Sequence, residues 1–69
     1  MTTAQKIRMA LSYVRMSEAE LARALGTSRS AFNQRMKTDK FSSTELDRIA
    51  KAMGAEFIFN FKFPDGTKV

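Results

Sequence analysis

The segment Ser17–Lys37, SEAELARALGTSRSAFNQRMK, leaves this chain little conformational freedom. Ser17-x-x-Glu20 has the spacing of a capping box. The serine hydroxyl accepts from the Glu20 N–H, and the carboxylate reaches back to the Ser17 N–H, so a helix must begin there. Gly26 sits where that helix has to stop, because glycine enters the left-handed region without a Cβ penalty. Ser28 then caps a second helix only two residues later. Together these signals read as two short helices joined by a tight glycine turn, a spacing that any tight αα-hairpin would share in large part.

The apolar positions agree. Leu21, Ala22 and Leu25 share one face of the first helix, and the small Ala22 lets another helix approach closely. Phe32 and Met36 stand four apart on one face of the second, with Ala31 beside them. Elsewhere the pattern is also helical. Thr3 caps a helix to about Arg15, with Ile7, Leu11 and Val14 as its core stripe and Ala10 on the flank. Thr38, Asp39 and Lys40 read as a loop, and Phe41 as a hydrophobic staple before a second capping box, Ser42-x-x-Glu45. Leu46, Ile49, Ala50 and Met53 then mark the core face of a fourth helix that Gly54 ends.

From Ala55 the period changes to two. AEFIFNFKF puts Phe57, Phe59, Phe61 and Phe63 on one face of a strand, and Ile58, Asn60 and Lys62 on the other. Pro64-Asp65-Gly66 is a turn signal. A three-residue loop there sets Phe63 opposite Thr67 and Phe61 opposite Val69. The predicted fold is therefore mainly α: a four-helix, helix-turn-helix domain over residues 1–54, with a C-terminal strand or short hairpin over 55–69.

The functional reading begins with the other face of the third helix. With Ala31, Phe32 and Met36 assigned to the core, Ser28, Arg29, Ser30, Asn33, Gln34 and Lys37 remain outside. Arginine forks onto guanine, and Asn or Gln pairs bidentately with adenine. A helix N-terminus such as that at Ser28 favours a phosphate. No acidic residue lies between Gly26 and Lys37, and the chain carries 12 Lys+Arg against 7 Asp+Glu, a formal net charge of +5. The plain alternative is a solvated helix face, because net charge by itself says nothing about fold.

Composition removes other classes. The 69 residues make one domain, with no cysteine to staple it and no histidine. No metal site, cofactor site or catalytic constellation is expected. Glu18 and Glu20 point to different helix faces, and the serines serve as caps. No apolar run approaches the ~20 residues that span a bilayer. Lys6, Arg8 and Arg15 on the first helix raise the thought of a membrane-surface helix, but its apolar stripe is too modest for that. The lack of cysteine fits a reducing cytoplasm.

The central segment resembles the Xre/Cro phage-repressor type of helix-turn-helix protein at Ser17, Leu21, Ala22, Leu25, Gly26, Ser28, Arg29 and Phe32. Leu46, Ile49, Ala50, Met53 and Gly54 look like the helix that follows in that family. The ending GAEFIFNFKFPDGTKV looks like a smaller bacterial subgroup with an added strand. The resemblance implies a cytoplasmic transcriptional regulator that binds double-stranded DNA. It places base contacts at Arg29, Ser30, Asn33 and Gln34 and backbone contacts at Thr27, Ser28, Lys37 and Lys40. Three positions depart from the family pattern. Glu18 stands where a phosphate-contacting Gln is common, Thr27 replaces an apolar residue, and Arg35 takes an aliphatic position, with Met36 assuming its packing.

Four phenylalanines on one face either fold back over the helical body in cis or exceed what so small a body covers, and an unpaired strand edge invites another chain. A homodimer through Phe57, Phe59, Phe61 and Phe63 is expected, its two reading helices matched to a palindromic site. The rival is a protein-binding adaptor, antitoxin-like, docking through the same tail by β-augmentation.

Overall fold

The computed structural model describes residues 1–69 and contains four helices: α1 (Thr3–Val14), α2 (Glu18–Ala24), α3 (Arg29–Thr38) and α4 (Ser43–Ala52). Each begins at a polar cap. The boxes predicted at Ser17 and Ser42 both close, each through two reciprocal bonds of 3.0 to 3.1 Å with Glu20 and Glu45. Ser28 accepts from the Ala31 N–H at 3.1 Å. The cap of α1 is Thr2 rather than Thr3, because Thr2 has a partner for a box of its own in Gln5.

The core lies where the four helices converge. Leu21 is fully buried at its centre, surrounded by Ala4, Ile7, Leu11, Ala22, Phe32, Met36 and Ile49. Burying a side chain of that size is worth roughly 1.5–3 kcal/mol. Ala22 at 1 % exposure marks the close approach expected of it, and α2 packs on both α3 and α4.

Three local expectations change. Val14 is exposed, and Ala4 replaces it in the α1 stripe, because Ala4, Ile7 and Leu11 keep to one face while Val14 drifts toward its edge. Ala31 is exposed as well, since Phe32 and Met36 alone span the buried side of α3. Leu46 and Met53 pack against the core as expected but are only half-buried, with Ile49 and Ala50 as the buried residues of α4. The loop assigned to Thr38 begins one residue later. The α3 helix runs through Thr38, whose hydroxyl donates to the Arg35 carbonyl at 2.9 Å, and ends at Asp39 in the left-handed conformation (φ 57°).

The larger correction is the C-terminal strand, which does not form. Only one antiparallel bridge, Lys62 to Lys68, is present. A ladder needs a partner along its length, and here only Thr67–Val69 runs alongside, opposite Phe61–Phe63. Residues 55–60 face no strand and adopt no regular structure. The turn keeps the predicted register nonetheless. Phe61 and Val69 exchange backbone hydrogen bonds, and the Phe63 N–H donates to the Thr67 carbonyl at 2.8 Å. Gly66 takes φ 91°, and Asp65 Oδ1 accepts from the Thr67 N–H at 2.9 Å.

From Ile58 to Val69 every residue is exposed. The molecule measures 44 × 23 × 20 Å, with a radius of gyration of 13.3 Å. A compact chain of this length has a radius near 11 Å (about 2.2·N^0.38). The tail is therefore an arm standing off a small helical body.

Candidate nucleic-acid interface

The turn between α2 and α3 is short, and the N–H groups of Leu25, Gly26 and Thr27 all fold back onto α2 carbonyls. Leu25 closes α2, Gly26 takes φ 75°, and the Thr27 N–H returns to the Ala22 carbonyl at 2.9 Å. Ser28 then starts α3. The first amides of α3 have no acceptor within the helix and face outward with partial positive charge.

At 3.6 residues per turn, Gln34 points directly away from the buried Phe32 and Met36. Ser30 and Lys37 flank it at spacings of four and three, so these three share one outward face. Arg29 and Asn33 form the adjoining ridge, with Asn33 half-buried and Arg29 exposed. Ala31 and Thr38 border the face on its other side. Hydrogen bonds within the chain engage Ser28, Arg35 and Thr38 of this region, and none involves the side chains of Arg29, Ser30, Asn33, Gln34 or Lys37. Thr27 and Lys40 are exposed at the two ends of α3. The arrangement thus brings Ser30, Gln34 and Lys37 together, sets Arg29 and Asn33 beside them, and leaves Thr27, Ser28 and Lys40 at the periphery.

Two groups that looked out of place are engaged elsewhere. Arg35 donates to the Lys40 carbonyl at 2.8 Å and to Glu45 Oε1 at 2.6 Å, and its guanidinium lies 5.6 Å from the centroid of the Phe41 ring. It fastens the end of α3 to the start of α4, while Met36 does the packing. Glu18 turns toward α1, where Arg8 Nε lies 3.8 Å from one carboxylate oxygen. The other oxygen is buried without a hydrogen-bond partner.

Acidic groups near α3 are likewise occupied. The Ser42 N–H, and then the Arg35 guanidinium, hold Glu45 below the ordinary carboxylate range. The carboxylate of Asp39 leaves the α3 terminus altogether. It accepts from the Ala4 N–H at 2.7 Å and from Thr3 at 3.4 Å, closing the first turn of α1. Arg48 adds a weaker tie from α4 to the Leu25 carbonyl at 3.3 Å.

These three ties were missed in the sequence. Their partners stand 10, 35 and 23 residues apart, beyond the reach of any helical period or cap motif. The one available signal was Arg35 itself, a charge at a position where the family resemblance calls for an aliphatic.

No group of three or more His, Cys, Asp or Glu side chains comes together to hold a metal ion. No helix is long and apolar enough to cross a membrane. Comparison with protein-family models, with curated proteins and with solved structures returned no match to this chain.

Proposed function

We propose that this chain is a sequence-specific DNA-binding regulator. In this reading α2 and α3 form a helix-turn-helix, α3 enters the major groove, and two copies act together on a palindromic site. One observation carries the reading: the outward face of α3 holds Ser30, Gln34 and Lys37 with Arg29 and Asn33 alongside, all unengaged, on a helix pinned at its far end. Unpaired amide, guanidinium and hydroxyl groups on a fixed helix suit base edges, which reward donors and acceptors already in place. Thr27, Ser28, Lys37 and Lys40 surround that face with groups suited to phosphates.

Selection of bound sequences from a random DNA pool tests the proposal. A symmetric consensus is expected. Gln34→Ala or Arg29→Ala should then cost roughly 1–3 kcal/mol and relax preference at one base position per half-site. Lys37→Ala should weaken every sequence alike. If no consensus emerges and none of these substitutions changes affinity, α3 is not a reader.

A second reading draws on the exposed phenylalanines of the arm, which suit a protein surface. An adaptor docking by that arm would bind with little dependence on salt, whereas DNA affinity falls steeply as salt rises.

A further inference from the structure

A cavity of ≈ 300 Å³ opens where the α2–α3 turn, α3 and α4 meet. Leu25 from the end of α2, Phe32 from α3 and Ile49 from α4 give it apolar walls. Phe41, in the link before α4, adds a second aromatic wall. Ligand pockets run from about 300 to 1,000 Å³, so this one has room for a molecule of about ten non-hydrogen atoms.

Three charged side chains border it: Arg35, Glu45 and Arg48. The first two are engaged with each other, and Arg35 also donates to the Lys40 carbonyl. Arg48 differs, because it forms no ion pair in the chain. Its one hydrogen bond is the long one to the Leu25 carbonyl, at 3.3 Å. A guanidinium carries five N–H donors in a fixed fork, so most of this fork is free. The cavity thus combines an aromatic, apolar interior with one uncompensated cation at its edge.

We propose that this cavity binds a small planar aromatic carboxylate. The ring packs against Phe32 and Phe41, and aromatic contacts of this kind gain more than the area they bury. The carboxylate takes the free fork of Arg48 in bidentate geometry, which is both stronger and more directional than a neutral hydrogen bond. The charge of Arg48 decides against the other small molecules of similar size. A neutral ring forgoes the charge-assisted pair, an aromatic cation meets a like charge, and an aliphatic acid loses the aromatic contacts.

The larger groove between α1 and α4, ≈ 420 Å³, is a poorer fit for the same molecule. Its cation is Lys6, and Glu56 lines the same groove and offsets that charge. An ammonium is also a point charge rather than a planar fork. In the cavity by Arg48 the occupant lies behind α3. Gln34 points away from Phe32, so the outward face of Ser30, Gln34 and Lys37 stays uncovered. The inference therefore stands apart from what that face reads, and it is measured without DNA.

Titration of the full chain, followed by its amide resonances, tests the proposal. The probe is indole-3-carboxylate, with indole as its neutral counterpart. The carboxylate should saturate with a dissociation constant on the order of 0.1 mM, given the binding energy that a ligand of this size commands. The largest shifts should fall at Thr27, Ala31, Phe41 and Arg48. Indole should bind about tenfold more weakly or worse. Arg48→Gln should weaken the carboxylate by about the same factor, leave indole unaffected and keep the helical circular dichroism, because that side chain is exposed. Ala31→Leu, at an exposed position on the cavity wall, should exclude both probes. Equal affinity for the two probes on the unaltered chain overturns the inference, whatever the variants do. So does an undiminished carboxylate affinity in Arg48→Gln, a set of largest shifts at Ile7, Ala10 and Met53, or no saturation by about 5 mM.

Discussion

Asp39 does three things at once. It ends α3 in the left-handed conformation, carries the chain toward α4, and closes the N-terminus of α1 with its carboxylate. Few side chains suit all three. Asn and Asp enter the left-handed region more readily than other non-glycine residues, and both accept from backbone amides. Asp39→Ala should destabilise the domain by about 1–2 kcal/mol, the usual cost of a lost helix cap. Asp39→Asn should recover most of that in urea unfolding, because it keeps both the conformation and an acceptor. Equal losses in the two variants would show that the negative charge against the α1 dipole is what matters. Arg35 offers a contrast, since its ion pair with Glu45 is exposed on both sides and solvent screens it. The value of Arg35 lies in where it holds α3.

At the scale of elements, the caps explain both the stability of the helices and its dependence on acid. Glu20 and Glu45 each accept from the backbone N–H of the serine that starts their helix, and this lowers both pKa values. Asp65 is lowered in the same direction by the Thr67 N–H in the hairpin turn. A carboxylate whose folded pKa lies below its unfolded value contributes stability in full above the unfolded value. That contribution is lost as pH falls through the folded one. The thermal midpoint should therefore be flat from neutrality to about pH 5 and fall below about pH 4. Glu45→Gln should flatten the fall, and an unchanged acid limb would show that its cap and clamp add nothing.

These caps were also the most legible part of the chain. Ser17, Ser28 and Ser42 with Glu20 and Glu45 carry their partners three residues away, so sequence spacing and hydrogen-bond geometry are the same information. The hairpin register was readable for the same reason, through Pro64-Asp65-Gly66. The strand before it was misread because alternating phenylalanines specify a face, whereas a strand also needs a neighbour that only tertiary or quaternary structure provides. Ala31 was misassigned because one small residue beside two large ones does not betray the rotation of a helix. For the candidate interface, residue types and their outward placement were visible in the sequence. The ties from Arg35, Asp39 and Arg48 were not, since each joins elements remote along the chain.

The whole molecule divides into a body built on one fully buried leucine and an arm with nothing buried beyond Phe57. So small a body has little stability to spare. Its cooperativity depends on the few contacts that join distant parts of the sequence. The bond from the Ala4 N–H to Asp39, 35 residues away, is the most telling of these. An amide in the first turn of a helix ordinarily exchanges its proton with solvent as fast as the end frays. Here that amide is shielded only while the far terminus of α3 is docked. Its exchange rate should follow the opening of α3 and rise in Asp39→Ala. One resonance at the beginning of the chain would then register whether α3, at its middle, is in place.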